Sequence, residues 1–403
     1  MRNELIGYQE ALKLTLENIT PLAVEEISLV ESTDYVLADD VYSLVDSPSI
    51  DASLKDGFAV RSSEIAAATP ANPVRLKVAA SAAAGLPSQV VVKPGTAVQI
   101  LTGAQVPQGA DAVVSEEFTH LAGDDVIIKN HAEPGRNILP KGSDVAQNQI
   151  TIPAGNTLTP GKVGILAAAG YDTIPVVRKP EIAIIATGDE VLAPGQPLTE
   201  GKLFASNLVT LHAWCRRYGM QTTLDIVGDE ATAIMKKLEQ ATTEHDAVLT
   251  SGGAWTGDRD LVVRMLSDLG WQKMYHRVRI GPGKAVGFGL LQGTPVFVLP
   301  GGPPSNLMAF LQLALPGLLK LVGKKDPHLP QRVVRLTAPT GGQSDWTQFV
   351  FGRFKPENGN YCFCPIKGAS RLKSMAEAEG IISIPEGVEH IPAAADVTAQ
   401  LLV

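Results

Sequence analysis

Two carboxylates, Asp258 and Asp260, follow a glycine-rich turn that runs Ser251-Gly252-Gly253-Ala254-Trp255-Thr256-Gly257. The turn leaves a short apolar run, residues 247–249, which reads as a buried parallel strand. It enters a helical repeat over residues 258–269, with Leu261, Val262, Met265, Leu266 and Leu269 on one face. Gly252 and Gly253 can take positive φ and admit a ligand close to the backbone, while a helix start offers free N–H groups to an anion. Alone, the stretch fits a phosphate site and a plain tight βα connection equally. The acids alter that balance. Carboxylates beside a bound anion repel it unless a cation lies between them, so a phosphate-plus-metal site is the economical reading.

The elements around this turn alternate. Strands over 181–186, 223–227, 247–249, 273–279 and 295–299 are interleaved with helices over 206–218, 231–241 and 258–269. This is the pattern of a mostly parallel sheet covered on both faces, expected across residues 178–326. Leu208, Leu211, Cys215 and Tyr218 line one helix, and Ile234, Leu238 and Ala241 another. Ligands of such sheets bind beyond the carboxyl ends of the strands. The loops there are Thr187-Gly188-Asp189-Glu190, Gly228-Asp229-Glu230, the glycine-rich turn, and Pro300-Gly301-Gly302-Pro303-Pro304-Ser305-Asn306, with Arg279-Ile280-Gly281-Pro282-Gly283-Lys284 between the last two. Together they gather carboxylates, glycines and a lysine along one edge. Pro316 is expected to kink the helix that follows the last of them.

Outside this region the chain changes character. Residues 3–19 carry Leu5, Tyr8, Leu12, Leu16 and Ile19 at helical spacing and stop before Pro21. A polar loop holds Asp51, Ser53, Lys55, Asp56 and Gly57, which by themselves read as a solvated Asp-Gly turn. Short β-type runs over 74–78, 90–92, 97–101, 112–115 and 126–129, split by Pro-Gly connectors, describe a small all-β domain. Arg136, Lys141, Gly142 and Asp144 follow in a loop that fits a linker as well as a site. A helix is expected over 162–169. Beyond 327, runs over 332–337, 348–354, 361–366, 380–385 and 396–402 describe a closing β-barrel.

With 403 residues the chain exceeds what one core usually organises. Its apolar fraction of 45% is that of an ordinary globular protein, and no apolar run approaches the length of a membrane span. A cytoplasmic location is expected, with no membrane association. Three cysteines are present; Cys362 and Cys364 stand two apart on an expected strand, so they share a face and are read as reduced packing residues. The net charge of −8 argues against nucleic-acid binding, which relies on a positive surface.

These pieces together resemble the molybdopterin molybdenumtransferase family, MoeA-like and related to the E domain of gephyrin. The resemblance rests on Asp51, Ser53 and Asp56-Gly57-Phe58-Ala59; Leu101-Thr102-Gly103-Ala104 with Val106-Pro107; Gly142 and Asp144; Ala186-Thr187-Gly188-Asp189-Glu190; Ser251-Gly252-Gly253 with Gly257 and Asp260; Pro282-Gly283-Lys284; and Leu299-Pro300-Gly301 with Pro303. It implies an elongated multidomain chain with α/β and all-β parts. These are an N-terminal helix (1–26) packing on the linker or the α/β domain, a discontinuous linker domain (27–53 and 141–177), an inserted β-domain (54–140), a MogA-like parallel α/β domain (178–326) and a C-terminal β-barrel (327–403). It further implies a homodimer whose sites are each shared between the α/β domain of one subunit and the Asp56 and Asp144 loops of the other.

The activity implied is insertion of molybdate, as substrate, into the dithiolene of adenylylated molybdopterin with release of AMP. Such chemistry asks for a pyrophosphate cradle, a divalent cation and an oxyanion pocket. Carried over residue by residue, the resemblance gives Asp56, Asp144, Glu190, Asp229 and Asp260 as catalytic acids, with Glu190, Asp229 and Asp260 holding Mg²⁺. Substrate contacts fall to Ser53, Lys55, Thr102, Thr187, Gly188, Asp189, Ser251, Gly252, Gly253, Gly257, Pro282, Gly283, Lys284, Pro300, Gly301 and Ser305. Partners implied are the molybdopterin adenylyltransferase and molybdoenzyme chaperones.

The chain also departs from the family pattern. Lys55 replaces methionine, Leu139 and Ser143 replace a basic and an acidic residue, and Ala205 replaces aspartate. Ala254-Trp255 replaces Val-Ser, Gly281 replaces lysine, Ala285 replaces proline, and Gly302 replaces asparagine. Lys55 is read as partly replacing a lost basic contact beside Asp56. The alternative these losses leave is a catalytically weakened paralogue that binds a pterin, a nucleotide or a partner protein without metal insertion.

Overall fold

The central strands are buried almost throughout, and their side chains alternate between two covered faces, which builds the middle of the protein. The computed structural model describes residues 5–85, 90–252, 261–357, 360–366 and 371–402. In the sheet at its centre, β1 is Glu181–Thr187, β2 Gln221–Val227, β3 Ala247–Ser251, β4 Gln272–His276, β5 Gly287–Leu291 and β6 Thr294–Leu299. Their order is β2-β1-β3-β6-β5-β4, parallel among the first four and antiparallel across β6-β5 and β5-β4.

Ile182, Ile184, Leu249, Phe297 and Leu299 point to one face, covered by the Ser206–Arg217 helix and the helical run from Pro303 to Leu321. Ala183, Ile185, Val248, Val296 and Val298 point to the other, against the Ala231–Glu244 and Leu261–Asp268 helices. Each fully buried Ile, Leu or Phe contributes roughly 1.5–3 kcal/mol over an exposed one, so the two faces fix the register firmly.

That register sets the site. Thr187 lies beside Val227, Ala186 beside Ser251, and Ser251 beside Leu299. The loops after β1, β2, β3 and β6 therefore leave the sheet side by side, as expected for the carboxyl edge of a parallel sheet.

The expected mixed α/β and all-β class is present, and so is the terminal barrel. Gln331–Leu336, Thr347–Glu357, Asn360–Pro365, Gly380–Ile384 and Asp396–Leu401 form a five-stranded barrel that closes through pairing of Thr347–Glu357 with Gly380–Ile384, and Ile280–Gly281 adds a sixth strand to the sheet beside Thr347–Glu357. Cys362 is buried, Cys364 half-buried, and both are free thiols.

Toward the N-terminus, the Tyr8–Glu17 helix lies against the central unit, its Tyr8 hydroxyl donating to Gln312 and its Thr15 hydroxyl paired with that of Tyr275. A smaller core joins Leu29, Leu37 and Val41 to Ile152, Leu158, Leu166, Ile174 and Val176. Between these two chain segments stands a six-stranded sheet containing Gly57–Val60, Val74–Ala82, Thr96–Ile100 and Ala112–Ser115.

Several expectations are corrected. The first helix begins at Tyr8 rather than residue 3 among the described residues, and the helix expected over 162–169 starts at Pro160, whose fixed φ suits a first helical position. Residues 90–92 contribute an isolated bridge at Val91 rather than a strand. Instead of a simple kink at Pro316, the helix widens into a π turn over Phe310–Ala314, which accommodates a residue that cannot donate a backbone hydrogen bond. β5 was not expected, because Gly287 and Gly289 weaken a strand pattern. Here Gly289 is needed: a Cβ there would meet the Trp271 indole at 2.6 Å.

Candidate functional site

At the carboxyl edge of the sheet two cavities share Gly302 and Arg371 as a common wall. The first, of about 790 Å³, is lined by Thr187, Gly188, Glu190, Asp229, Ser251, Gly252 and Gly301, together with Phe204, Ala205 and Asn207. The second, of about 840 Å³, is lined by Pro282, Gly283, Lys284, Pro300 and Ser305, together with Arg277, Trp346 and Gln348.

Backbone shape makes the first cavity. Gly252 sits at φ 110°, and a Cβ there would lie 2.6 Å from the Thr187 carbonyl oxygen, so only glycine lets the β3 end pass so close to β1. Gly188 at φ 138° lets the Glu190 carboxylate fold back over the turn, since a Cβ at 188 would meet Glu190 Oε2 at 2.5 Å. Asp189 does not line either cavity. Its Oδ1 accepts the Asp229 N–H at 3.0 Å and holds the loop after β2 against the loop after β1. Thr187 lines the same cavity, but its hydroxyl is buried beside Gly252 and has no hydrogen-bond partner among the described residues. A buried unpaired hydroxyl is costly.

Two asparagines not counted among the expected site residues, Asn306 at the end of the last loop and Asn207, tie the edge together. Asn306 Nδ2 donates to Ser251 Oγ at 3.1 Å and to the Pro300 carbonyl at 2.8 Å; Asn207 Nδ2 donates to Ser251 Oγ at 3.1 Å and to the Gly301 carbonyl at 2.8 Å. Their signal was present as the position after Ser206 and after Ser305, but only the fold reveals that both amides meet one serine. Ala205 stands at the N-cap of the Ser206–Arg217 helix and supplies no capping side chain.

The two cavities differ in charge. Glu190 and Asp229 face the first. The second has Arg277, Lys284 and Arg371 and no carboxylate among the described residues that line it. Lys284 Nζ stands 5.1 Å from the centre of the Trp346 ring. Gln348 fills the space at position 281, where a Cβ would meet its Oε1 at 2.6 Å, so Gly281 leaves no room for a longer residue unless Gln348 moves.

Asp56 and Asp144 lie elsewhere in the chain. Asp56 accepts both the N–H and the hydroxyl of Thr102 at 2.7 Å, which hold its carboxyl below the usual carboxylate range. With Lys55, Thr102, Glu116 and Glu117 it lines a separate pocket of about 470 Å³. Ser53 is buried, its hydroxyl donating to the Lys55 carbonyl at 2.6 Å, and so shapes that loop. Gly57 opens a strand rather than serving only a turn: a Cβ there would overlap the Val114 carbonyl oxygen. Asp144 lines a small pocket with Gly142 and Ser143, and Leu139 pairs with Ala52. Thus one chain assembles the α/β loops into a divided cleft and keeps the Asp56 and Asp144 loops outside it. Gly253, Gly257 and Asp260, with Ala254 and Trp255, lie outside the described residues.

Among the described residues no three His, Cys, Asp or Glu side chains are grouped to hold a metal ion. The oxygen donors at hand, Glu190 and Asp229 in one cavity, fit Mg²⁺, which commonly takes one or two carboxylates and completes its shell with water and ligand phosphate. No helix among the described residues is long and apolar enough to cross a membrane.

Three family profiles match the chain: the MoeA N-terminal region (domain I and II) over residues 6–170, a probable molybdopterin binding domain over 183–320, and the MoeA C-terminal region (domain IV) over 333–402. Molybdopterin molybdenumtransferase 2 of Mycobacterium tuberculosis is 32% identical over 391 residues, covering 96% of each chain. Molybdopterin molybdenumtransferase of Bacillus subtilis is 30% identical over 395 residues, covering 92% of each. The solved molybdopterin biosynthesis moeA protein from Pyrococcus horikoshii superposes with a TM-score of 0.82 at 27% identity, covering 99% of this chain and 100% of that one. With matches of this extent in sequence and fold, and with the loops they share gathered on one sheet edge, the chain belongs to the MoeA family of molybdopterin molybdenumtransferases, transferases of molybdenum cofactor biosynthesis.

Proposed function

We propose that the protein inserts molybdate into the dithiolene of adenylylated molybdopterin and releases AMP. The observation that carries this reading is the division of the cleft into a two-carboxylate cavity and a carboxylate-free cationic cavity with a common wall. The reaction joins a nucleotide-bearing ligand, whose phosphates travel with a divalent cation, to a small tetrahedral oxyanion. The first cavity suits the former and the second suits the latter.

In this reading Glu190 and Asp229, with Asp260 by its place in the family pattern, hold Mg²⁺. When bound, Mg²⁺ neutralises charge on the phosphates of the anhydride. The bare backbone at Gly188 and Gly252 admits the phosphates. Lys284 and Arg371 draw the oxyanion to the far side of the Pro300–Pro303 loop, placing both reactants across one wall. Catalysis then rests mainly on positioning and charge neutralisation.

The active unit is a homodimer. Asp56 and Asp144 lie outside the cleft of their own chain, and a second subunit is what brings carboxylates of that kind to a cleft edge. The molybdopterin adenylyltransferase would supply the substrate, and molybdoenzyme chaperones would receive the product.

Calorimetric titration of adenylylated molybdopterin with and without Mg²⁺ tests the site. Wild-type protein should bind more tightly with Mg²⁺, and Glu190→Gln or Asp229→Asn should abolish that difference while keeping the fold. Equal Mg²⁺ dependence in both variants and wild type would show that the carboxylates do not hold the cation.

A further inference from the structure

Arg277 follows β4 directly and has φ 77°, in the left-handed region that strains any residue carrying a Cβ. Its N–H donates to the Val286 carbonyl at 2.7 Å, so the turn back toward β5 fixes this backbone geometry. Glycine would take the same path without strain. An arginine there calls for a reason that lies in its side chain.

The side chain lines the cationic cavity, and its Nε is buried with no hydrogen-bond partner among the described residues. A buried guanidinium N–H left unpaired is costly, and the carboxylate that usually pairs such a group is missing from the described lining of this cavity. Of the other two cations there, Lys284 holds its ammonium near the face of Trp346, and Arg371 is shared with the neighbouring cavity. Position 281 adds no charge, and Gln348 fills its space. Arg277 is therefore a cationic side chain of this cavity, held on a fixed backbone, with no carboxylate beside it among the described lining residues.

We propose that Arg277 is an oxyanion-contacting residue of this cavity, its guanidinium donating to the tetrahedral oxyanion and so setting the affinity for that substrate. The inference rests on the function proposed above and adds to it a named contact. The planar fork of arginine offers directed N–H groups to neighbouring oxygens, which a lysine ammonium does not reproduce.

The test uses the full-length protein with Arg277→Gly and Arg277→Lys. Glycine removes the side chain and relieves the backbone, so the melting temperature should stay level or rise. The KM for molybdate should rise roughly tenfold or more with little change in kcat, the scale of losing a hydrogen bond to a charged group. Calorimetry with molybdate alone should show a parallel loss of affinity, and Arg277→Lys should restore only part of it. If Arg277→Gly keeps both molybdate KM and molybdate affinity at wild-type values, the contact does not exist. A variant that melts lower and loses kcat and affinity together would assign Arg277 to the fold and overturn the proposal. Should wild-type protein bind molybdate yet release no AMP, the proposed function fails, and the binding comparison alone decides the role of Arg277. Wild-type protein that binds no molybdate overturns both.

Discussion

The buried amide of Asn306 donates to the hydroxyl of Ser251, 55 positions earlier in the chain, at 3.1 Å. Ser251 ends β3 and Asn306 lies at the start of the helix after β6, so this bond joins two of the loops that line the cleft. The same amide donates to Pro300, and Asn207 completes the arrangement from a third element. Side-chain amides thus add to the backbone bonds and the Asp189 carboxylate in holding the loop geometry at the site.

Asn306→Ala should accordingly destabilise the protein by about 2–3 kcal/mol, since the Pro300 carbonyl loses a buried donor. It should also weaken binding of adenylylated molybdopterin. Thermal unfolding and calorimetry measure the two effects, and unchanged values in both would remove Asn306 from any role in shaping the cleft.

The Arg178 guanidinium pairs with both oxygens of Asp246, which also accepts the Glu181 N–H at 2.9 Å. Burial raises the Asp246 pKa, but Arg178 and that N–H more than offset it, leaving the carboxyl below its usual range. In the unfolded chain the carboxyl takes up a proton below about pH 4, whereas the folded one still resists. The stabilisation is therefore present above that value and is lost as pH falls through the lower folded pKa. Because Arg178 is partly exposed, Asp246→Asn should cost only about 1–2 kcal/mol at neutral pH. The gap should close on acidification. Denaturant unfolding from pH 7 downward checks this; a gap that widens in acid contradicts it.

Much of this arrangement was legible in the sequence, and the reason is physical. Strands such as Glu181–Thr187 and helices such as Ala231–Glu244 advertise themselves through local period, so the alternation of strand and helix and the loops at the carboxyl edge follow from apolar spacing, whereas the order of strands in the sheet does not. The same holds for the barrel strands. Contacts that depend on distant partners were not legible. Nothing near Asn207 or Asn306 in the chain indicates that both reach Ser251, and nothing near Arg371 indicates that a barrel residue walls both cavities. Asp189 was read as a ligand contact from its motif, while its carboxylate in fact braces the Asp229 N–H. Carboxylate motifs tell which residues meet, and less well which of them face the ligand.

A shared site makes a prediction that one chain cannot satisfy alone. Asp56→Asn and Asp229→Asn should each lose activity. Co-expressed, they should regain about a quarter of wild-type turnover, because random pairing in a two-fold dimer makes half of the dimers mixed, each with one intact site. Light scattering should report a dimer for both variants. Absence of recovery in verified mixed dimers would place Asp56 and Asp229 in the same functional site of one chain, or Asp56 in none.

The most direct measurement follows AMP. Purified protein with bound adenylylated molybdopterin and Mg²⁺ should release AMP when molybdate is added, in step with the amount of molybdenum inserted, and release should fall sharply in Glu190→Gln. If the ligand stays bound and intact at every molybdate concentration, with AMP no higher than in the molybdate-free control, the chain is not a metal-inserting transferase and its cleft serves binding alone.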